Sequence, residues 1–436
     1  MDHFRYHGHH LWAERVPVRT IAEAVGTPVY IYARATIERH YRVFADAFAD
    51  LPVTICFAVK ANGNLAVVRT LALLGSGADV VSGGELDIAL AAGVPASRIV
   101  FSGVGKTAEE LAHALRAGVM QINVESEPEL ELLNAIGRSL GQRAPTAIRI
   151  NPDVDAHTHD KISTGRSENK FGIEWTAARQ IYERAAQMPG IALTGVAVHI
   201  GSQLTETPPF RAAFLRVRDL VEMLRADGLR ITTLDLGGGL AVPYGDEDVS
   251  LPTPADYAAV VRQALGDLGC RLILEPGRLI VGNAGVLVTR VLFVKEGATR
   301  TFVIVDAGMN DLVRPAMYGA FHAVVPETAP QPSAPLRPVD IVGPVCETSD
   351  TFAVGRPFPP VNAGDLLVIR TAGAYGATMA SAYNARPMAP EVMVSGDDFA
   401  IVRERIPYAE LLSRHRLPPW QRDAADDAPA QSRTGR

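Results

Sequence analysis

The sequence predicts an α/β fold, with a (β/α)8 TIM-like barrel followed by a second, mainly β C-terminal domain. Eight short runs rich in β-branched residues alternate with Ala- and Leu-rich helical stretches across about 225 residues, which is the strand count and length of such a barrel. After about residue 282 the helical pattern fades and Pro and Gly become frequent, as in an all-β unit. The 436 residues leave room for both domains.

The barrel strands are predicted from runs that lead into helical periodicity. They lie at 53–60, 78–82, 99–103, 121–126, 147–151, 194–201, 232–239 and 271–277. The connecting segments, such as FLRVRDLVEMLRADG at 214–228, repeat apolar residues at the 3.6 spacing that covers one helix face. Strand and helix therefore alternate as the barrel requires.

The second domain begins with two predicted strands within 285–309, joined by a polar turn at Gly297. We expect four regions along the chain: an N-terminal segment at 1–25 that packs with the β domain, the barrel at 26–282, the β domain at 283–420 and a disordered tail at 421–436. His7, His9 and His10 lack partner ligands nearby in the sequence, so we expect a flexible N-terminus and no metal site.

Charge and composition exclude several kinds of partner. Lys plus Arg is 42 and Asp plus Glu is 48, so the net charge is −6 and no basic run is present to follow a nucleic acid backbone. No segment approaches the roughly 18 uninterrupted apolar residues of a membrane span. Cys56, Cys270 and Cys346 are odd in number and far apart, which favours a reducing compartment. We expect a cytoplasmic protein.

Side-chain alternation places three ionisable groups at the mouth of the barrel. In the first strand the bulky aliphatic residues share one parity, which leaves Cys56 and Lys60 pointing inward. The same sorting turns His199 of the sixth strand and Glu275 of the eighth strand inward. All three lie near the C-terminal strand ends, where barrel enzymes hold their active sites.

Each of these residues also has an ordinary structural interpretation. Lys60 could be a solvated charge, His199 a core histidine and Glu275 an ion-pair partner of Arg278. The apolar strand and small-residue loop around Lys60 favour desolvation, which would lower its pKa and free the amine to attack an aldehyde.

Three glycines end the seventh strand, close to where such barrels bind phosphate. Backbone N–H groups of Gly237, Gly238 and Gly239 could approach an anion, aided by a following helix terminus, and Arg278 could add a cation. A tight turn without a ligand would also explain the glycines. Together, an amine, a carboxylate for a ring nitrogen and a phosphate cradle match the needs of pyridoxal 5′-phosphate.

An ordered set of motifs resembles the diaminopimelate decarboxylases, a family of pyridoxal-phosphate-dependent decarboxylases with an alanine-racemase-like barrel. The motifs are FAVKAN (57–62), VSGGEL (81–86), HIGSQL (199–204), GGG (237–239), EPGR (275–278), MNDLVRPAMY (309–318), GPVCETSD (343–350) and AGAYGATMAS (372–381). They cover the chain from about residue 10 to residue 415.

The resemblance implies a role for each matching residue. Lys60 would bond covalently to the cofactor, His199 would stack on its ring and Glu275 would pair with its ring nitrogen. The remaining implied cofactor contacts are Ser202, Gly237, Gly238, Gly239, Gly277, Arg278 and Tyr375. The implied substrate contacts are Arg278, Arg314, Tyr318, Glu347 and Tyr375. Cys346 would donate a proton and, with Glu347, would come from the neighbouring subunit of a homodimer.

This resemblance implies decarboxylation of meso-2,6-diaminopimelate to L-lysine and carbon dioxide. A substrate with a second amino acid head needs an anion clamp and an ammonium partner, which Arg314 and Glu347 can supply. Three alternatives remain. They are a related decarboxylase of ornithine, a D-amino acid or a carboxylated polyamine; a racemase on the same fold, disfavoured by Glu275; and a non-catalytic cofactor carrier, disfavoured by the second domain.

Overall fold

The computed structural model describes residues 2–155, 170–245 and 250–421. The predicted disordered tail at 421–436 falls outside these ranges except for its first residue. Within the described ranges, every helix is too short or too polar to cross a membrane.

Among the described residues the strands outnumber the α-helices, and most of the strands are short. In chain order they are β1 (Phe4–His7), β2 (His10–Ala13), β3 (Val16–Pro17), β4 (Val29–Ala33), β5 (Val53–Ala58), β6 (Gly77–Val80), β7 (Ile99–Phe101), β8 (Gln121–Val124), β9 (Ala144–Asn151), β10 (Ile173–Glu174), β11 (Ile191–Ala197), β12 (Thr233–Asp235), β13 (Arg271–Leu274), β14 (Gly285–Glu296), β15 (Thr301–Val305), β16 (Val324–Pro326), β17 (Arg337–Val342), β18 (Thr351–Phe358), β19 (Leu366–Ile369), β20 (Glu391–Ser395) and β21 (Asp398–Arg403).

The α-helices lie mostly between the strands of the first half. They are α1 (Val18–Val25), α2 (Arg34–Ala47), α3 (Leu65–Leu73), α4 (Gly83–Ala91), α5 (Ala108–Ala117), α6 (Glu127–Leu140), α7 (Ala178–Ala186), α8 (Pro208–Ala226), α9 (Pro254–Leu265), α10 (Arg278–Val281), α11 (Arg314–Tyr318) and α12 (Tyr408–Ser413). Several begin at side-chain caps: Thr107 and Thr253, for example, form capping boxes that satisfy free N–H groups of α5 and α9.

The predicted barrel is confirmed. Strands β5, β6, β7, β8, β9, β11, β12 and β13 each pair in parallel with the next, and β13 returns to β5, which closes the ring. All eight are strands expected from the sequence, although most end earlier than predicted. The residues after most of these strands are therefore irregular loops at the barrel mouth, where side chains from different strands can lie close together.

The start of the barrel differs from the predicted boundary at residue 26. Strand β4 pairs with β14 and β20 of the second sheet, and all five of its residues are buried. The ring helix between β13 and β5 is α2, which precedes the first strand, because α10 after β13 spans only 4 residues. The apolar sequence VYIYA does not specify which sheet the strand joins. Its pairing partners are therefore visible only in the folded structure.

The predicted side-chain sorting holds inside the barrel. Cys56, Val100 and Ile273 form a small separate apolar cluster with Met120. The opposite parity, including Phe57, packs into the large core shared with the helices. The barrel interior is thus plugged below its mouth, and polar groups gather above the plug.

The second domain is a mixed sheet in the order β18-β17-β15-β14-β4-β20-β21, with β19 pairing with β14 and β16. The N-terminal strands β1 to β3 pack beside it, as Leu11 N–H donates to the carbonyl of Glu327 at 2.9 Å. The expected flexible N-terminus is wrong for its histidines: His7 pairs with His10 in a hairpin, and His10 Nδ1 lies 3.1 Å from Glu327 Oε1.

Candidate active site

Lys60 lies directly after β5, in a short 3-10 turn over Val59–Ala61 at the mouth of the barrel. Its ammonium Nζ is 2.6 Å from Asp79 Oδ2 on β6. About a third of the side chain (34%) is exposed, whereas Asp79 is fully buried. The fold therefore presents the amine at a cavity and anchors it to a buried carboxylate.

The predicted lowering of the Lys60 pKa is wrong for this arrangement. Burial alone does lower the pKa of the ammonium, but Asp79, Glu275 and Tyr375 raise it, and the net direction is upward. The apolar residues around Lys60 predicted the lowering by burial. The raising of the pKa depends mainly on the carboxylates of Asp79 on β6 and Glu275 just after β13. In this arrangement Lys60 is held as a charged group.

Three carboxyl groups cluster in the floor of the cavity: Asp79, Asp235 and Glu275. Burial raises the pKa of Glu275 well above its ordinary value, and Asp235 and Asp79 add to this because like charges repel. Glu275 and Asp235 share a side-chain hydrogen bond. Asn123 Nδ2 donates to Asp235 Oδ2 at 2.7 Å and to Ser102 Oγ at 3.0 Å. The cluster therefore favours a proton at Glu275 more than an ordinary glutamate would.

His199 lies two residues beyond β11, at the boundary of two cavities. Its pKa is lowered well below the ordinary value, first by burial and then by Arg149 and Lys60. Gly238 N–H donates to His199 Nδ1 at 3.2 Å, which fixes the ring and its tautomer. His199 is therefore a neutral, oriented imidazole.

The three glycines form an irregular turn after β12. Gly237 has φ of +64°, and a Cβ there would lie 2.7 Å from His199 Nδ1. The N–H groups of Gly237 and Gly238 are already used by Asp235 and His199, which leaves the N–H of Gly239 without an acceptor among the described residues. The expected helix terminus does not lie next to the glycines, since residues 241–245 are irregular and the next described helix, α9, begins at Pro254.

One cavity brings Lys60, His199 and Glu275 together. Its walls include Lys60, Glu275 and Tyr375, together with the other residues predicted to contact the cofactor: Ser202, Gly237, Gly238, Gly239, Gly277 and Arg278. Arg278 Nη2 donates to Ser202 Oγ at 3.0 Å, so the two lie side by side. An amine and a proton-holding carboxyl at one end, with a guanidinium and a free N–H at the other, fit pyridoxal 5′-phosphate.

A second cleft adjoins this cavity and shares His199, Ser202, Arg278 and Tyr375 with it. Arg314 and Tyr318 of α11 line its far side. Arg314 Cζ lies 4.5 Å from the ring centroid of Tyr244, and Arg278 Nη1 donates to the hydroxyl of that tyrosine. Two guanidinium groups therefore face one space beside the cofactor cavity.

Tyr375 stands between the two spaces. Its N–H donates to the carbonyl of Ala61 at 2.8 Å, and its φ is +55°. Its ring centroid is 4.8 Å from Arg278 Cζ. This non-glycine residue in the left-handed region is fixed from both sides, which is typical of residues that functional sites hold in unfavourable conformations.

Cys346 and Glu347 lie elsewhere in this single chain. Both are exposed, and neither lines the two spaces described above. Cys346 N–H donates to Asn384 Oδ1 at 3.0 Å, and the Tyr383 hydroxyl donates to Glu347 Oε1 at 3.1 Å. The structure of one chain thus brings together the predicted residues other than these two.

Sequence reasoning missed Asp79, Asp235, Tyr244 and His322. The first two were visible in the strand motifs ADVVS and LDLGGG, where inward parity would have marked them. Tyr244 and His322 lie in loops without periodicity, so no local signal identified them.

Comparison with known proteins is consistent with this geometry. A sequence model of the family "Pyridoxal-dependent decarboxylase, pyridoxal binding domain" matches residues 34–282. Diaminopimelate decarboxylase from Vibrio cholerae is 50% identical over 409 residues, which cover 93% of this chain and 96% of that protein. The relative of the same name from Pseudomonas fluorescens is 50% identical over 421 residues, covering 96% of this chain and 100% of the other.

Solved structures extend the likeness to three dimensions. The crystal structure of diaminopimelate decarboxylase from M. jannaschii in complex with L-lysine superposes with a TM-score of 0.91 at 39% identity. The match covers 96% of this chain and 99% of that chain. The chain therefore belongs to the diaminopimelate decarboxylase family of pyridoxal-dependent decarboxylases.

Proposed function

We propose that this protein decarboxylates meso-2,6-diaminopimelate to L-lysine and carbon dioxide, the last step of bacterial lysine synthesis. The observation that carries the proposal is the cleft with Arg314 at its far side, which opens beside the cavity that holds Lys60. A substrate that keeps a carboxylate at its unreacting end suits a buried guanidinium there. The names of the relatives support the same substrate.

Pyridoxal 5′-phosphate, when bound, supplies an aldehyde for the substrate amine and a ring that accepts the electron pair left by departing carbon dioxide. Lys60 would hold the cofactor, with Ser202, Arg278 and the glycine turn at its phosphate. Glu275 would pair with the ring nitrogen, because an ionised carboxylate stabilises the protonated, positively charged form of that nitrogen.

His199 and Cys346 would serve the reacting carbon from different sides. A neutral imidazole can cover the ring face without adding a charge that competes with the electron sink. A thiol can return a proton to the carbon after the carboxylate has left. Glu347 next to it would receive the ammonium at the far end of the substrate.

We also propose that two copies share each active site. The support is that Cys346 and Glu347 are exposed and lie away from the cavity of their own chain, as the resemblance implies for a homodimer. A cytoplasmic location is likewise our proposal, supported by three cysteines that are all free.

Mixing two inactive variants tests site sharing. A heterodimer of Lys60→Ala and Cys346→Ala subunits would contain one site with both native residues, so random mixing should restore about a quarter of the wild-type activity. Each variant alone is the control. Failure of the mixture to regain activity, under conditions where exchange of labelled subunits is demonstrated, would contradict site sharing.

The proposed reaction is tested by product analysis. Protein loaded with pyridoxal 5′-phosphate should release one carbon dioxide per L-lysine formed from meso-2,6-diaminopimelate. The cofactor-free protein is the control. Absence of release, with turnover of ornithine or another amino acid, would overturn the substrate assignment.

A further inference from the structure

His322 is a buried histidine, with an exposed fraction of 0%, beside the cleft that Arg278 and Arg314 line. Its Nδ1 is 2.9 Å from the carbonyl oxygen of Arg370, and its Nε2 is 2.9 Å from Arg314 Nη1. A carbonyl can only accept a hydrogen bond, so Nδ1 carries the proton and donates. The lone pair of Nε2 is then left to accept an N–H from Arg314.

We propose that His322 is a positioning residue that orients the Arg314 guanidinium toward the distal carboxylate of the substrate. The proposal rests on the proposed function, since it concerns how that substrate is selected. A guanidinium binds a carboxylate through two parallel N–H groups only if its plane is fixed. One hydrogen bond to His322 fixes the plane and leaves four of the five N–H groups available.

Tyr244 completes the support from another direction. Its ring centroid lies 4.5 Å from Arg314 Cζ, within the range of a cation–π contact. The rings of Tyr244 and His322 are 5.0 Å apart at 81°, an edge-to-face arrangement. The guanidinium is thus held by an acceptor and by an aromatic ring that are themselves packed against each other.

The backbone of the second domain fixes His322 in turn. The backbone carbonyl of His322 accepts a hydrogen bond from Arg356 Nη1 at 2.5 Å. The N–H of Arg370 donates to the carbonyl of Ala323 at 2.8 Å. Gly319, with φ of +60°, ends α11 and begins the turn by which the chain returns to Arg314. His322 is therefore placed by contacts that are independent of any ligand.

The group that accepts the hydrogen bond from Arg314 is a neutral imidazole and not a carboxylate. A carboxylate at this position would neutralise Arg314 and compete with the substrate for it. A neutral imidazole orients the guanidinium and leaves its charge for the ligand. Burial and the adjacent Arg314 lower the pKa of His322 to about 3, so it stays neutral at physiological pH.

Two ligands and two variants test this role with the protein loaded with pyridoxal 5′-phosphate. L-lysine retains the distal carboxylate, whereas 1,5-diaminopentane lacks it. In His322→Leu the Kd for L-lysine should rise about tenfold or more through loss of the aligned charge-assisted bonds. The Kd for 1,5-diaminopentane should stay within about twofold. His322→Gln keeps an acceptor and should restore L-lysine binding to within about threefold of wild type.

Calorimetry of these ligands separates the outcomes. Equal weakening of both ligands in His322→Leu, or unchanged L-lysine binding, would overturn the positioning role. If His322→Leu does not fold, His322→Gln is compared with wild type. Binding weakened as much for the diamine as for L-lysine in that variant would contradict the positioning role. Failure of wild-type protein to bind L-lysine would instead overturn the proposed function, and this inference with it.

Discussion

The two sides of the candidate site differ sharply in charge. The acidic floor, formed by Asp79, Asp235 and Glu275, lies inside the barrel beneath Lys60. The arginine cleft, formed by Arg278 and Arg314 with Tyr244 and His322, lies between the barrel mouth and the second domain. His199 lines both spaces.

This difference in charge indicates which part of a bound molecule each region can contact. Burial raises the pKa of Asp235 to about 6 and also raises the pKa of Glu275, so the acidic floor holds protons more readily than ordinary carboxyl groups do. Guanidinium groups remain charged even when buried, so the cleft keeps a permanent attraction for anions. Proton-dependent chemistry therefore belongs to the floor, and recognition of a substrate carboxylate belongs to the cleft.

Removal of the amine from the floor should have the largest effect. We expect Lys60→Ala to lower carbon dioxide release by more than about 10³-fold, because the covalent link to the cofactor is lost. The visible absorbance of the bound cofactor should change as well. Lys60→Arg is the matched control: it keeps a cation for Asp79 but cannot form that link, so substantial activity in this variant would contradict the covalent role.

Removal of a guanidinium from the cleft should have a smaller and more selective effect. We expect Arg314→Leu to lower kcat/KM for meso-2,6-diaminopimelate by about 100-fold, through loss of charge-assisted hydrogen bonds to the distal carboxylate. Cofactor absorbance should stay unchanged. Arg184→Leu, a change of an exposed arginine on a barrel helix, serves as the control. If both variants retain wild-type kcat/KM, the cleft does not bind the substrate.

The smallest predicted effects are opposite dependences of stability on pH. The folded pKa of His322 is about 3, below its ordinary 6.5, so the unfolded chain takes up a proton first and stability falls as the pH drops from 6.5 toward 3. The folded pKa of Asp235 is about 6, above its ordinary 3.8, so stability falls as the pH rises from 3.8 to 6.

Urea unfolding of the cofactor-free protein measures both effects. Relative to wild type, His322→Gln should gain about 1.4 kcal/mol per pH unit as the pH falls below 6.5. Asp235→Asn should gain relative stability as the pH rises from 4 to 6. The same pH slope in both variants would contradict the assigned charge states of the two regions.

Sequence reasoning identified only part of each region: Glu275 in the acidic floor, and Arg278 and Arg314 in the arginine cleft. Strand alternation placed Cys56, Lys60 and Glu275 correctly, because a parallel barrel repeats the same inward parity in every strand. The pKa of Lys60 was not predictable, since its sign depends on Asp79 from a different strand. In the cleft, the bond between Arg314 and His322 depends on a loop with no periodic pattern.

The predicted start of the barrel at residue 26 differs from the structure for a similar reason. Strand β4 has the composition of a barrel strand, yet it pairs with β14, more than 250 residues later in the chain. Pairing between such distant segments is decided by tertiary packing, which local propensity does not encode.

The most direct test of the account is a competition among substrates for the cofactor-loaded protein. Equal concentrations of meso-2,6-diaminopimelate, L-lysine and L-ornithine are offered, and carbon dioxide from each is followed by isotopic label. We predict that release from meso-2,6-diaminopimelate exceeds that from the other two by about 10³-fold or more, because only this substrate offers the cleft a second carboxylate. Comparable or faster release from L-ornithine or L-lysine would contradict the account.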